Sequence, residues 1–138
     1  MPKKVDRLVV DTNLWISFLI KKDFKKLDER IKKGKVKLIF SVELLDEFLT
    51  VADRPKFRKF FNKIELDQLI TLFDFYGEVV AVNSKVTICR DPKDNFILAL
   101  SKDSGADFLL TGDHDLLELR EFEGTRISNL SDFLKRFV

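Results

Sequence analysis

The chain has 138 residues, 45% of them hydrophobic, with 25 Lys and Arg against 23 Asp and Glu. That length suits one domain whose core buries roughly two thirds of the unfolded surface. No apolar stretch approaches the ~20 residues of a membrane span, and a single cysteine, Cys89, excludes an internal disulfide framework.

The net charge of +2 is unevenly spread: residues 1–60 carry 16 Lys and Arg against 9 Asp and Glu, and residues 61–138 carry 9 against 14. A basic half joined to an acidic half can set a phosphate-binding surface beside a metal-binding pocket. The lysines between residues 21 and 37 also fit a solvated helix face. The start, Met1-Pro2-Lys3-Lys4-Val5-Asp6, lacks the apolar region of a signal peptide. With the lone cysteine, this predicts a cytoplasmic protein.

The first element is Leu8-Val9-Val10, a short apolar run that stops at Asp11-Thr12-Asn13. Such a run reads as a buried parallel strand. Ligands of α/β sheets bind beyond the carboxyl ends of the strands, so the polar residues that follow are a candidate site. Asp11 equally fits the N-cap of a helix. Residues 14–20 are apolar on nearly every side, as in a short buried helix. A second helix is predicted over 24–33, with Phe24, Leu27 and Ile31 on one face and Gly34 as its stop. Residues 36–40 read as the second strand.

Ser41 suits the N-cap of a helix over 42–53. Leu44, Leu45, Phe48, Leu49 and Ala52 form its apolar stripe, Glu43 lies opposite and reads as solvated, and Asp46 and Glu47 fall on the two borders. A border carboxylate can reach a cleft beside the sheet, but periodicity does not choose between these two. Arg54-Pro55-Lys56-Phe57 ends the helix, because the residue before proline avoids the α region. Arg58 and Lys59 keep that corner basic. Residues 60–76 supply one or two further helices, stopped by Gly77 as a helix-ending glycine. A third strand is predicted at 79–82, followed by a connection over 83–90 in which Cys89 reads as a small buried hydrophobe.

In Arg90-Asp91-Pro92-Lys93-Asp94-Asn95, Asp91 fits N-cap, Pro92 fits N1 and Asp94 fits N3. Two carboxylates then lie in the first turn, where the helix dipole favours them. Residues 96–100 are apolar all round, so this helix is central and its first turn opens into a site. Capping accounts fully for Asp91 and only in part for Asp94. Gly105 closes the helix, and a fourth strand at 107–110 leads into Thr111-Gly112-Asp113-His114-Asp115, a second strand end rich in carboxylates. His114, the sole histidine, has no Cys or His partner for zinc and reads as a surface or capping residue. A last strand at 125–127 and a helix over 130–137 complete the chain.

Like charges ~4 Å apart repel by about 4 kcal/mol at an effective dielectric near 20. Converging carboxylates therefore imply a cation. Oxygen-only ligands favour Mg²⁺ or Mn²⁺. One such ion, or two spaced ~3.5–4 Å apart, activates water for phosphodiester hydrolysis.

In combination and spacing, residues 9–13, residues 41–47 with Arg54-Pro55-Lys56-Phe57, residues 90–95 and residues 110–116 resemble the PIN-domain ribonucleases. The nearest likeness is to the PIN-type (VapC-like) toxin components of bacterial and archaeal toxin–antitoxin systems, and it spans almost the whole chain. It implies one PIN-like domain over 1–138, a three-layer α/β/α sandwich with a central parallel sheet of about five strands. The implied activity is that of an endoribonuclease using one or two Mg²⁺ or Mn²⁺ ions. Position by position, the resemblance maps the catalytic, metal-binding quartet onto Asp11, Glu47, Asp94 and Asp113, which favours Glu47 over Asp46. Asn13 and Thr111 match supporting polar residues, and Asp91 and Asp115 match acidic positions of variable role. An RNA substrate, a neutralising antitoxin and a homodimer are implied partners, with Arg54, Lys56 and Arg58 the expected RNA contacts beside Glu47. Two other readings compete. A non-catalytic PIN-like RNA-binding or scaffold module would lack the intact quartet, and a haloacid-dehalogenase-like phosphatase would need a second Asp where Asn13 stands.

Overall fold

The structure, a computed structural model, describes residues 5–21 and 25–135. Its strands are β1 (Asp6–Val10), β2 (Val36–Phe40), β3 (Gly77–Val79), β4 (Phe108–Leu110), β5 (Glu121–Phe122) and β6 (Thr125–Ser128). They form one sheet in the order β3-β2-β1-β4-β6-β5, parallel throughout except where β5 meets β6. Leu8 of β1 lies opposite Leu38 on one side and Phe108 on the other. Leu8, Val9, Val10, Leu109 and Leu110 are all buried, because these strands are covered on both faces.

The helices are α1 (Thr12–Lys21), α2 (Lys25–Lys32), α3 (Val42–Ala52), α4 (Pro55–Arg58), α5 (Lys63–Tyr76), α6 (Pro92–Ser104), α7 (His114–Leu119) and α8 (Leu130–Lys135). Right-handed crossovers from β1 to β2 to β3 set α1 through α5 on one face; the return to β4, on the far side of β1, sets α6 on the other. The first face is filled by aromatic rings: Phe73 lies 4.6 Å from both Trp15 and Phe40, and 5.6 Å from Phe48, between ring centroids. On β4, Phe108 packs against Phe133 of α8 at 5.1 Å. Because the chain winds outward to β3 and then reverses, the switch point lies between the carboxyl ends of β1 and β4. No helix among the described residues is long and apolar enough to cross a membrane.

Several boundaries differ from the sequence expectations for identifiable reasons. The sheet has six strands and is mixed, because a two-residue loop, Glu123-Gly124, folds β5 back on β6. Both loop residues have positive φ, 49° and 86°, as tight hairpin turns of the primed types demand. The third strand starts at Gly77, earlier than predicted, since α5 runs straight into it. Gly77 is extended (φ −97°, ψ 160°) and not a left-handed cap. A Cβ there would overlap the Phe73 carbonyl and press on the Phe40 ring at 3.2 Å, so glycine is needed for close approach. After Val79 a single bond from the Val80 amide to the Phe40 carbonyl, 2.7 Å, is the last link to β2, so residues 81 and 82 leave the sheet. Lys56 and Arg58 belong to the short helix α4, and a capping box between Asn62 and Glu65 starts α5. The predicted helix ends at Phe24 and Phe137 lie outside the described residues.

Candidate metal centre

At the switch point β4 stays paired beyond its end with β1 on one side and at the end of β6 on the other. The Asp11 amide donates to the Leu110 carbonyl at 2.9 Å, and the Thr111 amide donates to the Ser128 carbonyl at 3.0 Å. The fully buried Thr111 hydroxyl then donates to Asp11 Oδ2 at 2.8 Å and accepts the Asp113 amide at 3.0 Å. One hydroxyl thus ties both strand ends to one another.

Three of the aspartates serve helix starts with one oxygen each. Asp11 Oδ1 accepts the Asn13 amide at 3.3 Å, Asp91 Oδ1 accepts the Lys93 amide at 2.9 Å, and Asp113 Oδ1 accepts the amides of Asp115 and Leu116 at 2.8 and 3.4 Å. Capping and site-building are therefore not alternatives here. Each cap consumes one oxygen, and the second oxygens of Asp91 and Asp113 carry no partner among the described residues.

A cleft of about 490 Å³ opens between α3 and the start of α6. Asp11, Asn13, Glu47, Asp91, Asp94 and Asp113 all line it, and Asp46 does not. Oxygens of Asp94, Asp113 and Asp115 lie within 4.8 Å of one another, the one such acidic grouping among the described residues. Asp115, rather than Asp11 or Glu47, completes that trio. It is held by Arg90, whose Nη2 donates to Oδ1 at 2.9 Å and Oδ2 at 2.8 Å. Glu47 instead faces Lys93, Nζ to Oε1 3.5 Å.

Crowding of carboxylates shifts their proton affinity. Burial pushes Asp94 up to about 6 from an ordinary 3.8, and Asp113, Asp91, Asp11 and Asp115 add to the rise in that order. Asp11 is also raised, chiefly by burial, with its bonds from Thr111 and Asn13 opposing the rise. Burial first, then the charges of Asp94 and Asp115, push the nearby Cys89 thiol up. Converging carboxylate oxygens, with no His or Cys sulfur in the trio, are the donor set of a hard divalent cation. The residues present fit such an ion.

Of the three basic residues read as RNA contacts, Arg54 lines the cleft. Lys56 and Arg58 do not: Lys56 Nζ lies over the Phe57 ring at 5.0 Å, and Arg58 bonds Asp53 at 2.7 Å. Sequence reading missed Lys93 and Glu43, which do line the cleft. The signal for Lys93 was its place between Asp91 and Asp94 in a helix turn already assigned to the site. Glu43 is exposed as expected, but the solvent it faces is the cleft.

An α/β switch-point cleft of this acidic kind has a family. Residues 7–115 match the PIN domain, and the chain belongs to the PIN domain family. It is 31% identical over 124 residues to the uncharacterized protein MJ1680 of Methanocaldococcus jannaschii, across 88% of this chain and 79% of that one. In structure it is similar to VapBC2 from Rickettsia felis, solved bound to a DNA fragment from their promoter. The TM-score is 0.57 at 16% identity, covering 89% of this chain and 98% of that chain, a likeness of fold.

Proposed function

We propose that the chain is a metal-dependent endoribonuclease that hydrolyses RNA phosphodiester bonds, and that it is the toxin of a type II toxin–antitoxin pair. The observation that carries this reading is the convergence of Asp94, Asp113 and Asp115 oxygens within 4.8 Å, with Asp94 and Asp113 lining a cleft that also holds Asp11 and Glu47. Mg²⁺ or Mn²⁺ bound there would activate water and stabilise the charge that develops on the phosphoryl group.

The protein's own residues do the rest. Asp94 gives up its proton so that three anionic oxygens can hold the cation, and Asp11 and Glu47 complete the acidic quartet with Asp94 and Asp113. Thr111 fixes Asp11 against Asp113. Asn13 supports Asp11 through its amide, and Asp91 keeps the first turn of α6 in place. Arg54 and Lys93, on the wall of an acidic cleft, receive the RNA backbone. One PIN-like domain spans the chain and works as a homodimer in the cytoplasm, and an antitoxin neutralises it; the likeness of fold to VapBC2 supports the last of these.

The test is to incubate purified protein with an RNA pool and Mn²⁺ or Mg²⁺ and map the cut ends. Discrete cuts that vanish with chelator, and that Asp11→Asn and Asp94→Asn abolish while keeping the folded circular dichroism spectrum, support the reading. If both variants cut like wild type, or chelator leaves cutting intact, the acidic cluster serves capping alone.

A further inference from the structure

Between β3 and α6 the chain runs through residues 80–91 without helix or strand. It is nonetheless held firmly to α6 at two points. The Asn83 and Ser84 amides donate to Asp103 Oδ2 at 2.6 and 2.8 Å, and the Ser84 hydroxyl donates to Asp103 Oδ1. Further on, the Cys89 amide donates to Asn95 Oδ1 at 2.8 Å, and Asn95 Nδ2 donates back to the Cys89 carbonyl at 3.1 Å. Residues 85–88, between these two anchors, make no backbone hydrogen bond to any described residue. Their N–H and C=O groups form a short row left without partners among the described residues, on a stretch anchored at both ends, so a ligand that pairs with them orders a short segment only.

Beside this row lies a hollow of about 380 Å³, lined by Lys85, Val86 and Thr87 from the stretch and by Pro92, Phe96 and Ala99 from α6. Pro92 and Phe96 line the acidic cleft as well, so the two cavities share a wall. Phe96 is half-buried, and Lys85 and Thr87 are exposed. Lys85 has no ion-pair partner among the described residues.

We propose that this hollow seats one nucleobase of the RNA substrate, next to the phosphate being cut, stacked on Phe96 with its edge read by Thr87 and the backbone of residues 85–88. This rests on the ribonuclease reading and deepens it into a site of sequence selection. Single-stranded RNA is held by bases stacked on aromatic rings and read along their exposed edges, and both elements are present here. The volume is near the low end of small-ligand pockets, ~300–1,000 Å³, and leaves room for one nucleotide. Lys85 supplies a cation for the phosphate of that nucleotide. Because the wall is shared, a base stacked on Phe96 aims its neighbouring phosphate at Asp94 and Asp113. Polar groups that match one base edge reject bases that leave them unpaired, which is the basis of selection. The free row is short, bounded by residues 84 and 89, and offers an extended peptide little length to pair with.

The experiment uses the full chain with Phe96→Leu, Phe96→Trp and Lys85→Ala, and RNA hexamers of random and single-base composition, with metal withheld during binding. Phe96→Leu binds hexamers about ten-fold more weakly or worse, and in Mn²⁺ it loses the base preference at a position beside the cut. Lys85→Ala lowers the salt slope of log affinity by about 0.7. Trp15 is buried, so the tryptophan introduced by Phe96→Trp reports stacking as RNA-dependent quenching. Mn²⁺ titration checks that each variant keeps its acidic cluster. If wild type cuts RNA while Phe96→Leu and Lys85→Ala match it in affinity and cut pattern, the seat is refuted and the ribonuclease stands. A wild type that neither binds nor cuts RNA removes both. Quenching by an extended peptide and not by RNA assigns the hollow to a protein partner and overturns the proposal.

Discussion

Thr111 and Asp11 are 100 positions apart in sequence and 2.8 Å apart in the fold, joined by a hydrogen bond from the threonine hydroxyl to Asp11 Oδ2. The Thr111 hydroxyl oxygen also accepts the Asp113 amide, so two acidic residues on adjacent strand ends share one small side chain. Thr111→Val keeps the shape and removes both bonds. It should destabilise the protein by about 1–3 kcal/mol, because the Asp113 amide loses its partner. Asp11 should also become harder to ionise, since its bond from Thr111 opposes the effect of burial. Urea denaturation and Mn²⁺ titration check both effects, and Thr111→Ser should restore most of each.

Stability of the metal-free protein should fall as pH rises from about 4 through 6. Asp94 has its folded value raised to about 6 from 3.8, so the folded state binds its proton more tightly than the unfolded chain does. The contribution is fully present below the unfolded value and is lost as pH passes the folded one. It should amount to about 1–3 kcal/mol. Asp94→Asn should flatten that fall in chelator-containing buffer. Metal affinity should move oppositely, climbing with pH until Asp94 is ionised and then levelling.

Arg90 neutralises Asp115 within the acidic trio, in competition with a cation. Arg90→Gln should therefore tighten Mn²⁺ binding several-fold and leave thermal stability unchanged, since the pair is exposed and such pairs contribute little to folding. Calorimetric titration beside a melting curve separates the two effects. Weaker binding in Arg90→Gln would mean that Arg90 positions Asp115 for the ion.

Gly77→Ala should cost about 1–3 kcal/mol, the ordinary penalty of forcing a methyl into a filled space. The Phe73 carbonyl and Phe40 ring occupy that space, and α5 cannot retreat without pulling Phe73 from the aromatic cluster. Near-ultraviolet circular dichroism should report the loosened rings.

Much of the fold is legible because each central strand is an apolar run cut off by polar residues, as at Asp11 and Thr111. The site elements follow from the same breaks. What stayed hidden depends on contacts that no local pattern encodes. The hairpin strand at Glu121 is too short for a period, and Glu123-Gly124 was its only signal. Gly77 advertised a helix end but not a strand beginning in the same step. The pairing of Arg90 with Asp115, 25 residues on, joins two helix starts that only the folded sheet edge brings near. Lys93 carries no local signal of its role, because its reach to Glu47 depends on how α3 sits against α6.

The strand order has a consequence for how the protein is made. Since β1 lies between β2 and β4, Asp11 cannot meet Thr111 until β4 has docked, and the Thr111 amide in turn donates to the Ser128 carbonyl of β6. Such distant parallel pairings close late. A nascent chain that already contains Asp11, Glu47 and Asp94 therefore lacks Asp113, Asp115 and the hydroxyl that organises them. The acidic cluster is completed only after β4 and β6 have been made and have docked, so synthesis of its first carboxylates and assembly of the whole group are separate events.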